Sequence, residues 1–360
     1  MLQRRSLLGP PDRRQKPLEP ASKSVDKLLP FPAARCFRGE AAFPQRFPFM
    51  RTPLLLCAAL AIVPLTTAAE KIAMIPKGTT HNFWKSVEAG AKKAGTELGV
   101  EIIWKGPLKE DDRAQQIGVV QQFVASGVSG IVLAPLDDIA LRGPVKSAGE
   151  RNIPVVIFDS ALRGEPGKDF VSFVATDNRR GGRLGAEELV RLLDGKGKVV
   201  LLRYAEGSAS TIEREAGFLE VIQQHPGINV IVDNRYGGAT TSSAQDAAMN
   251  LIDKIREADG IFCVNESTTH GMLLALRQTN LVGKKKFVGF DTSPVLLAAL
   301  QKGDIQGLVA QNPTKMGYLG VVSVVKHLRG EKVDPVIDTG CVLVTRENIS
   351  TPAVKEVLGK

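Results

Sequence analysis

From Lys71 to its end the chain repeats one pattern: an apolar run of four to six residues, a turn, then a stretch with apolar residues three and four apart. Consecutive Val, Ile and Leu mark strands buried on both faces, and the stretches between them carry a helical period. The predicted strands are Lys71–Ile75, Val100–Trp104, Gly130–Ala134, Pro154–Phe158 and Phe170–Val174, then Lys198–Leu202, Asn229–Val232, Gly260–Val264, Phe287–Phe290 and Gln306–Ala310. Helices are expected between them, among others over Asn82–Leu98, Asp111–Ser126, Arg183–Leu193, Thr240–Ala258 and Pro313–Leu328. Gly99 and Gly127 stand where a helix ends in a left-handed residue. Strands alternating with helices mean parallel sheets covered on both faces. Ten such units exceed one sheet of usual size, so the fold class is α/β with two doubly wound parallel-sheet lobes.

The first seventy residues break the pattern. Residues 1–49 are rich in Pro and Arg and have no apolar period, so they read either as a disordered extension or as a stretch upstream of the true start. At Met50 a short positive segment begins, Leu54 to Leu65 are apolar, and Thr67-Ala68-Ala69 are small. That is the layout of a signal peptide over residues 50–69, too short to span a membrane. Leu56 before Cys57 is too large for a lipoprotein signal, so a soluble, exported, periplasmic protein is expected.

Composition changes the picture only in one respect. The net charge of +9 suggests a nucleic-acid partner until it is split: residues 1–69 hold 11 Lys/Arg against 4 Asp/Glu, and the rest holds 36 against 34. The basicity belongs to the leader, and no nucleic-acid partner is inferred. With 24% charged and 43% hydrophobic residues the composition is that of a folded globular chain. Beyond the leader only Cys263 and Cys341 remain, both in apolar runs, which favours buried thiols over a bridge or a zinc site.

In open α/β sheets the ligand crevice lies outside the carboxyl ends of the strands. Lys77, His81, Phe83 and Trp84 follow the first strand, Asp159-Ser160 the fourth, Asn265-Glu266 the eighth, Asp291 the ninth and Gln311-Asn312 the tenth. Carboxylates and amides pair with hydroxyls and flat rings cover C–H faces, so this set suits a small polyhydroxylated ligand. Each residue also has a plainer reading. Asp159, Asn265 and Asp291 suit caps of the next helix, and Arg214 between Glu213 and Glu215 suits a solvated ion pair. Phe83 and Trp84 suit a helix-to-sheet core, and Lys77 and His81 a solvated loop. Gly181-Gly182 before a helix is a possible phosphate cradle, but no nucleotide motif accompanies it.

These residues carry a family resemblance. Lys71-Ile-Ala-Met-Ile with Asn82-Phe83-Trp84, Ile153-Pro154-Val155-Val156-Ile157-Phe158-Asp159 and Thr176-Asp177-Asn178 with Gly181-Gly182 belong to it. So do Glu213-Arg214 with Gly217-Phe218, Val288-Gly289-Phe290-Asp291 and Ala310-Gln311-Asn312-Pro313. About four-fifths of the chain thus resembles the type I periplasmic solute-binding proteins of the ribose/galactose class, which deliver sugars to ABC importers. The resemblance implies two lobes joined by a three-segment hinge near Val174–Thr176, Ala310–Asn312 and Thr339–Cys341. It divides the chain into 70–174 plus 312–340 and 175–311 plus 341–360. It implies that Asp159, Arg214, Asn265, Asp291 and Gln311 hydrogen-bond a sugar. Phe83 and Trp84 would stack on the ring, or one would stack while the other packs beneath. Ser160 stands where an arginine normally follows the first aspartate, and Lys77 and His81 replace small or amide side chains. The positive charge has therefore moved within the pocket, and all three join the expected ligand set. Ile75-Pro76-Lys77 and Gly99-Val100 with Lys105-Gly106-Pro107 are similar to the binders of a furanosyl autoinducer or rhamnose-type sugars, which turns the expectation away from ribose.

The resulting expectation is a monomeric binding protein without cofactor, metal or catalytic step, partnered by a monosaccharide-like ligand and an inner-membrane ABC permease. The alternative is a sensory binding protein feeding a chemoreceptor or kinase. A lactose-repressor-like regulator needs a helix-turn-helix before the first strand, where the chain is Pro-rich and then signal-like. A hydrolase needs a nucleophile elbow or a triad, and neither is legible.

Overall fold

The computed structural model describes residues 69–359. The extension and, but for Ala69, the signal peptide read from the sequence lie outside the described residues. A first run of elements is β1 (Lys71–Ile75), α1 (Asn82–Leu98), β2 (Glu101–Trp104), α2 (Arg113–Ser126), β3 (Gly130–Leu133), α3 (Arg142–Glu150), β4 (Val155–Phe158) and β5 (Ser172–Ala175). A second run is α4 (Asn178–Leu192), β6 (Gly197–Arg203), α5 (Ala209–Gln223), β7 (Ile228–Tyr236), α6 (Thr241–Asn250), α7 (Ile252–Glu257) and β8 (Gly260–Cys263). It continues through α8 (Glu266–Gln278), β9 (Lys286–Phe290), α9 (Pro294–Lys302) and β10 (Gly307–Gln311). α10 (Pro313–Leu328) and β11 (Val336–Asp338) rejoin the first group, and β12 (Cys341–Val344) and α11 (Pro352–Val357) the second.

Two six-stranded sheets result, ordered β11-β5-β4-β3-β1-β2 and β12-β10-β9-β8-β6-β7. The expected architecture of two doubly wound α/β lobes is what the structure shows. Alternation along β1 explains the double covering. Ala73 and Ile75 face α2 and α3 through Val120, Phe123 and Val145, while Ile72 and Met74 face α1 and α10 through Val87, Ala91 and Val321.

The chain passes between the lobes at Thr176–Asp177, at Asn312 and at Thr339–Gly340. The passages are tied together: Thr176 Oγ1 donates to Gln311 Oε1 at 2.9 Å, and the Asp177 N–H donates to Asp338 Oδ1 at 3.2 Å. Among the described residues every strand pairing is parallel except one, since β12 runs antiparallel to β10 with Gln311 opposite Cys341. The chain re-enters the second sheet beside the end where β10 leaves it, so β12 must run back along β10.

Three further expectations need correction. Thr240–Ala258 is two helices rather than one, because Leu251 (φ −103°, ψ 10°) leaves the helical path. α4 starts five residues earlier than expected, at Asn178, capped by the Asp177 side chain on the Arg180 N–H. Gly181 and Gly182 therefore lie inside a helix and serve packing rather than a phosphate. A Cβ on Gly182 would stand 2.0 Å from the Arg214 carbonyl oxygen, and one on Gly217 2.0 Å from that of Arg179. α4 and α5 thus touch backbone to backbone. The first lobe repeats the device, with Gly90 against Thr314 and Gly317 against Val87 joining α1 to α10.

Candidate functional site

The two sheets meet the cleft with the same backbone irregularity. Asp159 directly follows β4 and Asp291 directly follows β9, and their φ angles are +62° and +72°. Few residue types other than Gly tolerate that region, Asp among them. Each backbone N–H bonds back to its neighbouring strand, Asp159 to Val174 O at 3.1 Å and Asp291 to Val309 O at 2.8 Å. The turn so held delivers one buried carboxylate from each lobe.

Their surroundings differ. Asp159 Oδ2 lies 3.5 Å from Lys77 Nζ, and the ammonium also donates at 3.1 Å to Ser208 and to Ser210 of the opposite lobe. Burial pushes Lys77 down from its ordinary value while Asp159 and Glu110 oppose it. Burial likewise pushes Asp159 up, against the pull of Lys77 and Arg214. Asp291 has neutral donors instead: Gln311 Nε2 at 2.7 Å and the Glu266 N–H at 2.8 Å. Burial raises its pKa to about 6 although Arg214 and Gln311 favour the anion.

Arg214 reaches the cleft from α5 and is only 2% exposed. Its Nε donates to Asn178 Oδ1 at 2.8 Å and Nη1 to Val264 O at 2.9 Å, and the guanidinium lies 3.8 Å from the centre of the Phe290 ring. Anchored on one edge and one face, it keeps its remaining N–H groups for the cleft. Trp84 packs edge-on against Phe158 at 6.1 Å, and Phe83 edge-on against Trp84 at 4.9 Å. Asn265 caps α8 through Thr268 and still borders the cleft.

Together these groups line one cavity between the two lobes. Nine of the ten residues singled out from the sequence line it: Lys77, His81, Phe83, Trp84, Asp159, Arg214, Asn265, Asp291 and Gln311. Ser160 does not. It is fully buried, and its Oγ accepts the Ser210 N–H at 3.1 Å across the cleft.

Residues 72–332 match the family described as a periplasmic binding protein domain. The chain belongs to this family. Among its relatives is the Ribose import binding protein RbsB of Haemophilus influenzae, 28% identical over 76% of this chain and 91% of that one. A solved sugar-transport periplasmic component from Hahella chejuensis is 36% identical over 76% of this chain and 99% of that one, with a TM-score of 0.74. An Agrobacterium vitis solute-binding protein with bound D-fucose is 34% identical over 79% and 98%, with a TM-score of 0.76.

In this periplasmic binding protein the cleft is also lined by five residues that sequence reasoning passed over or left without a role: Glu110, Tyr204, Ser210, Thr211 and Glu266. Glu110 accepts from Trp84 Nε1 at 2.6 Å, pairs with His81 Nδ1 at 2.6 Å and accepts from Tyr204 O–H at 2.7 Å. Glu266 accepts from the Phe83 N–H at 3.2 Å and the Asn82 N–H at 3.4 Å. It thereby caps α1 from the other lobe, since the N-cap residue His81 makes no side-chain cap bond. Tyr204 directly follows β6, where the strand-end rule finds it. Glu110 sits six residues beyond β2, outside that rule.

Cys263 and Cys341 are buried and unpaired. Among the described residues no His, Cys, Asp and Glu cluster is arranged to hold a metal, and no helix is long and apolar enough to cross a membrane.

Proposed function

We propose that this periplasmic binding protein is the sugar-binding component of an ABC importer, exported by a signal peptide starting at Met50 and acting as a monomer outside the cytoplasm. The observation that carries the reading is the pair of strand-end aspartates facing one cavity, with Arg214, Gln311 and an aromatic edge beside them. Hydroxyls donate to Asp159 and Asp291, Arg214 donates to ring or hydroxyl oxygens, and Phe83 covers a C–H face. The moving bodies are residues 70–174 with 312–340 and residues 175–311 with 341–360, hinged at the three crossings. Closure buries the sugar, and the closed form is presented to an inner-membrane permease. The ligand drives closure only by its higher affinity for the closed state.

The ligand class is a monosaccharide. Relatives are named for ribose and for ribose and allose, and solved neighbours hold D-fucose and D-arabinose. A thermal-shift screen of the purified protein with pentoses, hexoses, 6-deoxy sugars and furanosyl compounds tests the proposal. A ligand at 100 times its Kd stabilises by about 2.7 kcal/mol, a visible shift. A response to at least one monosaccharide that Asp291→Asn reduces is expected; no response across the panel contradicts the proposal.

A further inference from the structure

Three donors converge on one buried carboxylate at the edge of the sugar cavity. Glu110 comes from the loop between β2 and α2, His81 and Trp84 stand at the start of α1, and Tyr204 belongs to the opposite lobe. Oε1 serves both rings of the first lobe, and Oε2 takes the hydroxyl of Tyr204. The bond at Nδ1 fixes the orientation of the His81 ring, which lines the cavity. Its Nε2 makes no hydrogen bond to any described residue, so that nitrogen is free for a ligand.

A carboxylate at hydrogen-bond distance favours the imidazolium. Burial opposes the charge on His81, but the hydrogen bond and charge of Glu110 prevail and raise it to about 9, with Glu266 and Asp291 adding to the effect. Burial opposes Glu110 as well, and its bonds to His81, Trp84 and Tyr204 hold it at about 2. The other ring in the same field is His270 on α8, which burial lowers.

We propose that Glu110 is a positioning residue for ligand recognition: it holds His81 as an imidazolium whose Nε2–H donates to an oxygen of the bound sugar, and Tyr204 completes its hydrogen bonding only when the lobes close. The inference rests on the sugar-binding reading of the cavity. Recognition and closure become linked, because the group that orients the His81 donor is the one that receives the opposite lobe.

The test has one arm without ligand and one with it. NMR titration of the ligand-free protein, with the His81 signal assigned by its loss in His81→Gln, is expected to show a ring charged throughout pH 6–8. In Glu110→Gln it should titrate at or below the ordinary value of about 6.5. With the monosaccharide that best stabilises the native protein, affinity should fall as pH rises through about 9, and His81→Gln should lose that fall. Glu110→Gln should lose about tenfold more affinity relative to the native protein at pH 8 than at pH 6, since charge-assisted bonds are about twice as strong as neutral ones. The native and His81→Gln profiles carry the test if Glu110→Gln does not fold. His81 still charged at pH 8 in Glu110→Gln, or His81→Gln binding as tightly as the native protein, overturns the proposal. A charged His81 in a protein that binds no monosaccharide sinks the sugar reading and the recognition step together, leaving only the charge pairing, so the two failures are distinguishable.

Discussion

Asp159 and Asp291 occupy the same place in the two lobes, each after a central strand, each at positive φ, each tied to the next strand by its N–H. Yet one is paired at 3.5 Å with the Lys77 ammonium, whereas the other takes its hydrogen bonds from neutral donors and has only the charge of Arg214 nearby. The backbone repeats because the fold repeats. The direct ion pair does not, because the side chains opposite come from loops and helix starts that the two lobes do not share. Asp159 is therefore part of the structure's own charge balance across the closed cleft, whereas Asp291 is a carboxylate held ready for a hydroxyl.

The largest expected break in this comparison is Asp159→Ala. It strands Lys77 in a buried site, and removing one partner of such a pair costs about 3–5 kcal/mol. Denaturant unfolding should show the loss, and adding Lys77→Met should restore most of the stability without restoring sugar binding. An Asp159→Ala protein as stable as the native one would show that Lys77 does not depend on Asp159. Asp291→Asn should cost less stability: its single carbonyl oxygen keeps one of the two donors, Gln311 Nε2 or the Glu266 N–H, and the other loses its acceptor, at about 1–3 kcal/mol. Binding weakens by about 1.5–3 kcal/mol as a charge-assisted bond is lost, which calorimetric titration measures directly.

The helix pairs sharpen the same contrast. Gly182→Ala and Gly317→Ala each place a Cβ about 2.0 Å from a facing carbonyl oxygen and force two helices apart. Overpacking of this kind costs about 1–3 kcal/mol in either lobe. Only Gly182→Ala should also weaken sugar binding, because the carbonyl it pushes is that of Arg214; equal losses of affinity in both variants would contradict this.

The smallest effect is in pH. Burial, helped by the charge of Glu266 and opposed by Arg214 and Gln311, pushes Asp291 up to about 6 in the fold against an ordinary 3.8. Hydroxyl donors prefer the anion, so affinity should fall as pH drops through about 6, by at most about tenfold per unit, and Asp291→Asn should flatten the profile. Ligand-free stability moves the other way. A raised folded-state pKa contributes stability that is present below 3.8 and lost as the pH rises through about 6.

The sheets were legible because buried parallel strands read as unbroken Val/Ile/Leu runs. β11 was not, since Val336–Asp338 is three residues long and largely outward-facing. The antiparallel sense of β12 depends on where the hinge returns the chain, which no local pattern encodes. Strand ends located Asp159, Asn265, Asp291 and Gln311, because topology alone aims those positions at the cleft. Glu110 and the capping role of Glu266 escaped for a common reason. Each gets its meaning from partners far along the chain, Tyr204 for the one and the start of α1 for the other. The strand-end rule also could not tell Ser160, which binds lobe to lobe, from the residues that line the cavity.

The most direct test of the central claim is a crystal structure with the best-stabilising monosaccharide bound. The expected result is a sugar between the lobes with hydroxyls within hydrogen-bond distance of Asp159 and Asp291 and an oxygen facing Arg214. A sugar seated instead in the wider cleft between α1 and α9, touching neither Asp159 nor Arg214, would contradict the assignment of the site.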